Sequence, residues 1–195
     1  MRTSKKKITY VGNPVIYNIK KNKKDDNISF VFGSLGSKTL LDKSIEFINK
    51  NIDSKYTYIL VTSSKYYNYA LEKVNSRTNV DIKKYIDRDE LYSSSKLIFC
   101  RGGASTLMEI VATKSKAVIV PSPYVKHNHQ VNNAKYLYSK GMVEYLDETD
   151  FDNDHIEMMI SKLFNKEVKL DKCEFKLYPE IEMLDFIKKD YDLRK

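Results

Sequence analysis

Nowhere in the 195 residues is there a run approaching the roughly 18 apolar side chains that a membrane-spanning helix needs. Cysteine is scarce. Cys100 and Cys173 stand far apart and form no CxxC pair, which points to a reducing compartment and to no structural zinc. No secretory leader is expected, because the basic start Met1-Arg2-Thr3-Ser4-Lys5-Lys6-Lys7 runs into Gly12, Asn13 and Pro14 instead of an apolar stretch. Internal repeats and low-complexity linkers are also missing, and the length suits one domain with at most a small appendage. Neither common phosphate fingerprint is complete. GxGxxG is absent, and Gly36-Ser37-Lys38-Thr39 only resembles the end of GxxxxGK[ST], since Lys38 does not directly follow Gly36. No Ser/His/Asp arrangement and no pair of acids stands out as the centre of a hydrolase. The chain reads as one that binds an activated substrate without supplying a complete reaction centre.

What is present is an ordinary apolar fraction, 42%, and a net charge of +8. The charge is spread out, with Lys20-Lys21-Asn22-Lys23-Lys24 followed at once by Asp25-Asp26. A dedicated nucleic-acid stripe is therefore not expected, and a weak attraction to anionic lipid headgroups fits better. Apolar runs at 28–32, 58–61, 80–82, 97–100, 117–120 and 142–145 read as strands. Between them, helices are expected over 38–49, 66–74, 87–94, 106–113 and 128–140, the last closed by Gly141. Beyond 150, Ile156, Met159, Ile160 and Leu163 share one helical face, and Ile181, Leu184 and Ile187 another. This alternation predicts an α/β class, a mostly parallel sheet with helices on both faces. Segment 1–27 reads as a tether or interdomain remnant, 28–165 as the domain, and 166–195 as a helical tail.

In such a fold ligands bind outside the carboxyl ends of the strands, and three unusual segments fall there. Gly33-Ser34-Leu35-Gly36-Ser37 is either an ordinary tight turn or a loop whose backbone approaches a phosphate. In Arg101-Gly102-Gly103-Ala104-Ser105-Thr106-Leu107-Met108-Glu109, the consecutive glycines are expected to bare backbone N–H groups to a diphosphate or ribose. Thr106 and Glu109 have capping-box spacing, so Glu109 either caps the helix or accepts from a ribose diol, and the two roles are compatible. Segment 121–130 gathers His127, His129 and Gln130 with no acid nearby, which suits sugar hydroxyls better than a metal.

Together these loops resemble the C-terminal, donor-binding domain of the MurG family, glycosyltransferase family 28. The matching stretches are Gly12-Asn13-Pro14-Val15, segment 33–37, Arg101 to Thr106 with Glu109, and Val120-Pro121-Ser122-Pro123 leading to His129-Gln130 and Asn133-Ala134. The resemblance implies one Rossmann-like half of a GT-B transferase, with UDP-N-acetylglucosamine as donor and no required cofactor or metal. It implies donor binding by Gly33, Ser34, Gly36, Gly103, Ala104, Ser105, Thr106, Glu109, His129, Gln130 and Asn133. Transfer would be inverting, to a polyprenyl-diphosphate-linked acceptor at the inner face of the cell membrane. The likeness includes no acceptor half, so a separate acceptor domain or membrane-associated subunit is implied. Three departures stand out: Phe32 replaces a glycine, Ser37 an alanine, and Ile16 an arginine near the phosphates, leaving Lys38 or Lys126 to compensate. The alternative is a non-catalytic nucleotide-sugar-binding or regulatory protein derived from such a transferase.

Overall fold

The computed structural model describes residues 27–32, 37–125 and 128–164. Strands and helices alternate through it. The order is β1 (Asn27–Val31), α1 (Lys38–Lys50), β2 (Thr57–Val61), α2 (Tyr67–Lys73), β3 (Val80–Lys83), α3 (Arg88–Ser94) and β4 (Ser95–Cys100). The second half continues with α4 (Ala104–Thr113), β5 (Ala117–Ile119), α5 (His129–Ser139), β6 (Glu144–Tyr145) and α6 (Asn153–Leu163). The strands form one six-stranded sheet in the order β3-β2-β1-β4-β5-β6, and every pairing is parallel. This is the doubly wound α/β class expected from the sequence.

Both sheet faces are buried, and the strands show why their sequences are almost wholly apolar. Successive side chains point to opposite faces. Ile28, Phe30, Tyr58, Leu60, Leu97, Phe99, Val118 and Val120 meet α1 and α6 on one side. Ile59, Ile98, Cys100, Ala117 and Ile119 meet α3, α4 and α5 on the other. The first core is aromatic at its centre, with Phe30 stacked on Phe99 at 5.0 Å and set edge-on to Phe151 at 6.5 Å. Phe30 is fully buried, so truncating it to alanine would cost about 3–5 kcal/mol. Two buried polar side chains pair across the sheet: the Ser29 and Ser95 hydroxyls lie 2.6 Å apart.

The helix ends follow their sequences. Asp87 caps α3 and Asp152 caps α6 through bonds from Asp89 N–H and His155 N–H. Gly141 takes φ +70°, and the bonds Gly141 N–H to Tyr138 and Met142 N–H to Leu137 complete a Schellman close of α5. The apolar face Ile156, Met159, Ile160 and Leu163 is buried as its spacing predicts. Helix α4 starts two residues before the expected Thr106, and α2 is preceded by a short 3-10 turn over Ser64–Tyr66. Phe32, which stands where the resemblance expects glycine, is buried edge-on against Phe151 at 5.3 Å. The expected tether and helical tail lie outside the described residues, except that Asn27 opens β1.

Candidate active site at the carboxyl ends of β1 and β4

The strand order reverses between β1 and β4, because the chain winds outward to β3 and then returns to the other side of β1. At such a switch point the loops leaving the two central strands part, and a crevice opens between them. The loop after β4 carries Arg101 to Gly103 and the loop after β1 carries residues 33–36. Gly33, Ser34 and Gly36 lie outside the described residues. Their flank is fixed, because Ser37 caps α1, its hydroxyl accepting from Leu40 N–H at 3.5 Å.

Gly103 is the N-cap of α4, with no side-chain cap and no acid in the first turn. The N–H groups of Ala104, Ser105 and Thr106 therefore have no intrahelical partner, and the first helical bond is from Leu107 N–H to Gly103. Helix α5 starts similarly, with Asn128 in the left-handed region at φ 52° and no side-chain cap. The two N-termini are brought together by Gly102. A methyl built on it would lie 2.6 Å from the Gln130 carbonyl oxygen, so the buried glycine is what lets α5 approach. The consecutive glycines thus divide their work. Gly102 serves packing and does not bare its backbone to a ligand, whereas Gly103 has only Thr106 Oγ1 near its missing side chain, at 3.8 Å. Two uncapped helix starts side by side make a site suited to an anion.

Between one and two turns along α4, the Glu109 carboxylate lies beside a cavity of about 330 Å³. Its walls are Val31, Val61, Ile98 and Cys100 from the strands, Leu91 and Tyr92 from α3, and the 84–86 segment. Capping is excluded for Glu109, because the helix begins at Ala104 and Glu109 stands in its middle. The Thr-x-x-Glu spacing is an i,i+3 pair within the helix. Its carboxylate instead accepts from the Tyr92 hydroxyl at 2.9 Å and faces Arg88 Nη1 at 3.7 Å. Burial, and then the Glu109 charge, push the Tyr92 phenol well above its ordinary range, so it remains a donor. The same causes push the Cys100 thiol up to about 12, which makes it a wall residue and not a nucleophile. From Gly103 to Glu109 the helix rises roughly 9 Å, at about 1.5 Å per residue. The diphosphate and ribose hydroxyls of an extended nucleoside diphosphate are separated by a similar span.

Two neighbouring cations, Lys38 and Arg101, are paired with carboxylates. Lys38 reaches Asp42 at 2.6 Å in an exposed i,i+4 pair and lies over the Tyr69 ring, while Lys126 lies outside the described residues. Arg101 bonds Glu148 at 2.7 Å and the Val120 carbonyl at 3.1 Å, and Glu148 also accepts from Ser37 Oγ at 3.4 Å. The Glu148 carboxylate thus ties the loops after β1 and β4, and the Arg101 guanidinium adds Val120 at the end of β5.

On α5, His129 is exposed, while Gln130 and Asn133 are half-buried. His129 and Asn133 share a face at i,i+4 spacing. Gln130 Oε1 accepts from Ser122 N–H at 3.0 Å, which leaves its amide N–H₂ for a ligand. Among the described residues no group of three His, Cys, Asp or Glu gathers into a metal site. Tyr92, Arg88 and the 84–86 wall were not singled out from the sequence. The i,i+4 spacing of Arg88 and Tyr92 was the available signal that both share a face of α3.

Residues 27–178 match the family described as the glycosyltransferase family 28 C-terminal domain. A UDP-N-acetylglucosamine–N-acetylmuramyl-(pentapeptide) pyrophosphoryl-undecaprenol N-acetylglucosamine transferase of Thermoanaerobacter pseudethanolicus is 29% identical over 98% of the chain and 57% of its own length. Its counterpart in Bacillus cytotoxicus is 34% identical over 60% of the chain and 34% of its own length. The chain spans about half the length of the curated relatives that it matches over most of its own length. The crystal structure of Acinetobacter baumannii MurG superposes with a TM-score of 0.72 at 22% identity, covering 97% of this chain and 57% of that one. The glycotransferase of kitacinnamycin shares the fold with a TM-score of 0.65 at 15% identity, over 84% of this chain and 42% of that one.

Proposed function

Since the chain belongs to the glycosyltransferase family 28 C-terminal domain family, we propose that it is the donor-binding half of an inverting UDP-N-acetylglucosamine-dependent hexosyltransferase. The observation that carries this reading is the Glu109 carboxylate beside an apolar-walled cavity, between one and two turns from the uncapped start of α4. A base lies between the apolar walls, the ribose diol donates to Glu109, and the diphosphate meets the N–H groups of Ala104, Ser105 and Thr106. By the family resemblance Gly33, Ser34 and Gly36 contact the phosphate region, and His129, Gln130 and Asn133 meet the sugar.

In transfer, an acceptor hydroxyl attacks the anomeric carbon as its bond to the UDP oxygen breaks, so configuration inverts. Negative charge grows on the leaving diphosphate, where the fixed helix-start dipoles stabilise it without reorganising. The proton of the attacking hydroxyl passes to a base supplied with the acceptor. That acceptor is a polyprenyl-diphosphate-linked sugar, held by a separate acceptor domain or membrane-associated subunit at the inner face of the membrane. Among the described residues no helix is long and apolar enough to cross a bilayer.

Calorimetry of the full chain with UDP and UDP-N-acetylglucosamine tests the reading. Binding is expected, and Glu109→Ala should weaken it by at least tenfold, the loss of one hydrogen bond to a charged group. Silence at millimolar ligand would remove the donor site.

The engagement of Lys38 and Arg101 by carboxylates, together with Ile16, favours a second reading: a nucleotide-sugar-binding protein without transfer activity. UDP binding without transfer to any polyprenyl-linked acceptor, with every candidate acceptor subunit supplied, would select it.

A further inference from the structure

Arg88 opens α3 immediately after the Asp87 cap and lines the same cavity as Glu109. Its guanidinium is poorly satisfied by the protein. Nε is buried without a hydrogen-bond partner. The facing carboxylates stand beyond hydrogen-bond distance, Glu109 at 3.7 Å from Nη1 and Asp89 at 3.9 Å from Nε. An arginine presents five donors in a planar fork, and a buried Nε donor left without a partner is unfavourable unless a ligand fills it. Resting on the donor-site reading above, we propose that Arg88 donates to a carbonyl oxygen of the nucleobase and thereby selects pyrimidine over purine nucleotides.

Position and chemistry lead to this assignment. Lying beside Glu109, Arg88 stands next to the place where the ribose diol would sit. In the anti conformer a pyrimidine carries its O2 carbonyl at the edge beside the 2′-hydroxyl, where a purine offers only a ring nitrogen. The apolar walls Val31, Val61, Leu91 and Ile98 keep the base faces dry and strengthen a charged hydrogen bond at its edge. The side chain is 39% exposed, so it has room to turn onto an incoming base.

The test uses the full chain and calorimetry with UDP, 2′-deoxy-UDP and ADP. Arg88→Met should weaken UDP and 2′-deoxy-UDP by the same factor, about tenfold, and ADP far less. Arg88→Lys, which keeps the charge near Glu109 but loses Nε and the fork, should fall most of the way to Arg88→Met. Should the methionine variant fail to fold, judged by thermal melting, the lysine variant carries the test alone. A loss for UDP that vanishes with 2′-deoxy-UDP would overturn the proposal, because Arg88 would then act through Glu109 and the ribose. Equal losses for UDP and ADP, or none, would overturn it too. If the unaltered chain binds no UDP, the donor-site reading falls first and this inference with it.

Discussion

Gly102 and Gly103 are neighbours in sequence with opposite physical roles, and alanine at each separates packing from ligand binding. At Gly102 the new methyl would lie 2.6 Å from the Gln130 carbonyl oxygen and 3.2 Å from its carbonyl carbon. Both atoms are backbone in the first turn of α5, so no side chain can swing aside. The helix start must shift, and overpacking of this kind costs about 1–3 kcal/mol. For a chain of this length each kcal/mol lowers Tm by about 2–4 °C, so Gly102→Ala should melt about 2–12 °C lower. At Gly103 the backbone is at φ −66°, ψ 138°, which any L residue adopts, and the nearest atom is Thr106 Oγ1 at 3.8 Å. Gly103→Ala should therefore melt close to the parent, within about 1 kcal/mol, because a less free unfolded chain offsets the poorer N-cap that alanine makes. Its methyl would nevertheless stand where a diphosphate approaches the α4 start, and UDP should bind at least tenfold more weakly by calorimetry. Equal melting of the two variants would refute the close approach of α5. Unaltered UDP affinity in Gly103→Ala would refute the placement of the diphosphate.

Other parts of the site give further tests. Glu109→Ala leaves the Tyr92 hydroxyl, in a residue 2% exposed, without its acceptor, at a cost of about 1–3 kcal/mol. Urea denaturation should show that adding Tyr92→Phe to that variant costs less than Tyr92→Phe alone; simple additivity would count against the bond. Glu148→Ala strands Arg101, whose side chain is 15% exposed, and should lose about 1–3 kcal/mol; pairing it with Arg101→Met should restore part of that loss. At α6, the hydrogen bond to Asp152 raises His155 above 6.5, and the bonds from His155 N–H and ring lower Asp152 below 3.8. The His155 contribution to stability is thus complete below pH 6.5 and fades as pH rises through its higher folded value; that of Asp152 is complete above pH 3.8 and fades as pH falls through its lower one. An NMR titration should place His155 above 6.5, and Asp152→Asn should return it towards that value.

The fold was legible because both sheet faces are buried. Strands such as 97–100 and 117–120 carry no polar face, and that run of apolar residues between helical spacings is a strong local signal. Glu109 was legible as a candidate, but its setting was not. Tyr92 and Arg88 lie 17 and 21 residues earlier and reach it only because α3 and α4 flank β4 on the same face. The capping box was a misreading for a related reason, since Thr-x-x-Glu spacing occurs equally at a helix start and inside a helix. Gly103 serves as N-cap, a role that glycine fills without any side-chain signature. The part of Gly102 depends on where α5 lies, which no neighbouring residue encodes. The Arg101–Glu148 tie spans 47 positions and forms because β4 and the segment after β6 end on the same side of the sheet.

The central claim is that a nucleoside diphosphate occupies the crevice between the carboxyl ends of β1 and β4. The most direct measurement is an amide NMR titration of the isotopically labelled full chain with UDP. Shifts concentrated at Gly103 to Thr106, Glu109, Tyr85, Ile86 and Arg88 are the expected result. Shifts gathered at the opposite end of the sheet, or none at millimolar UDP, would contradict it.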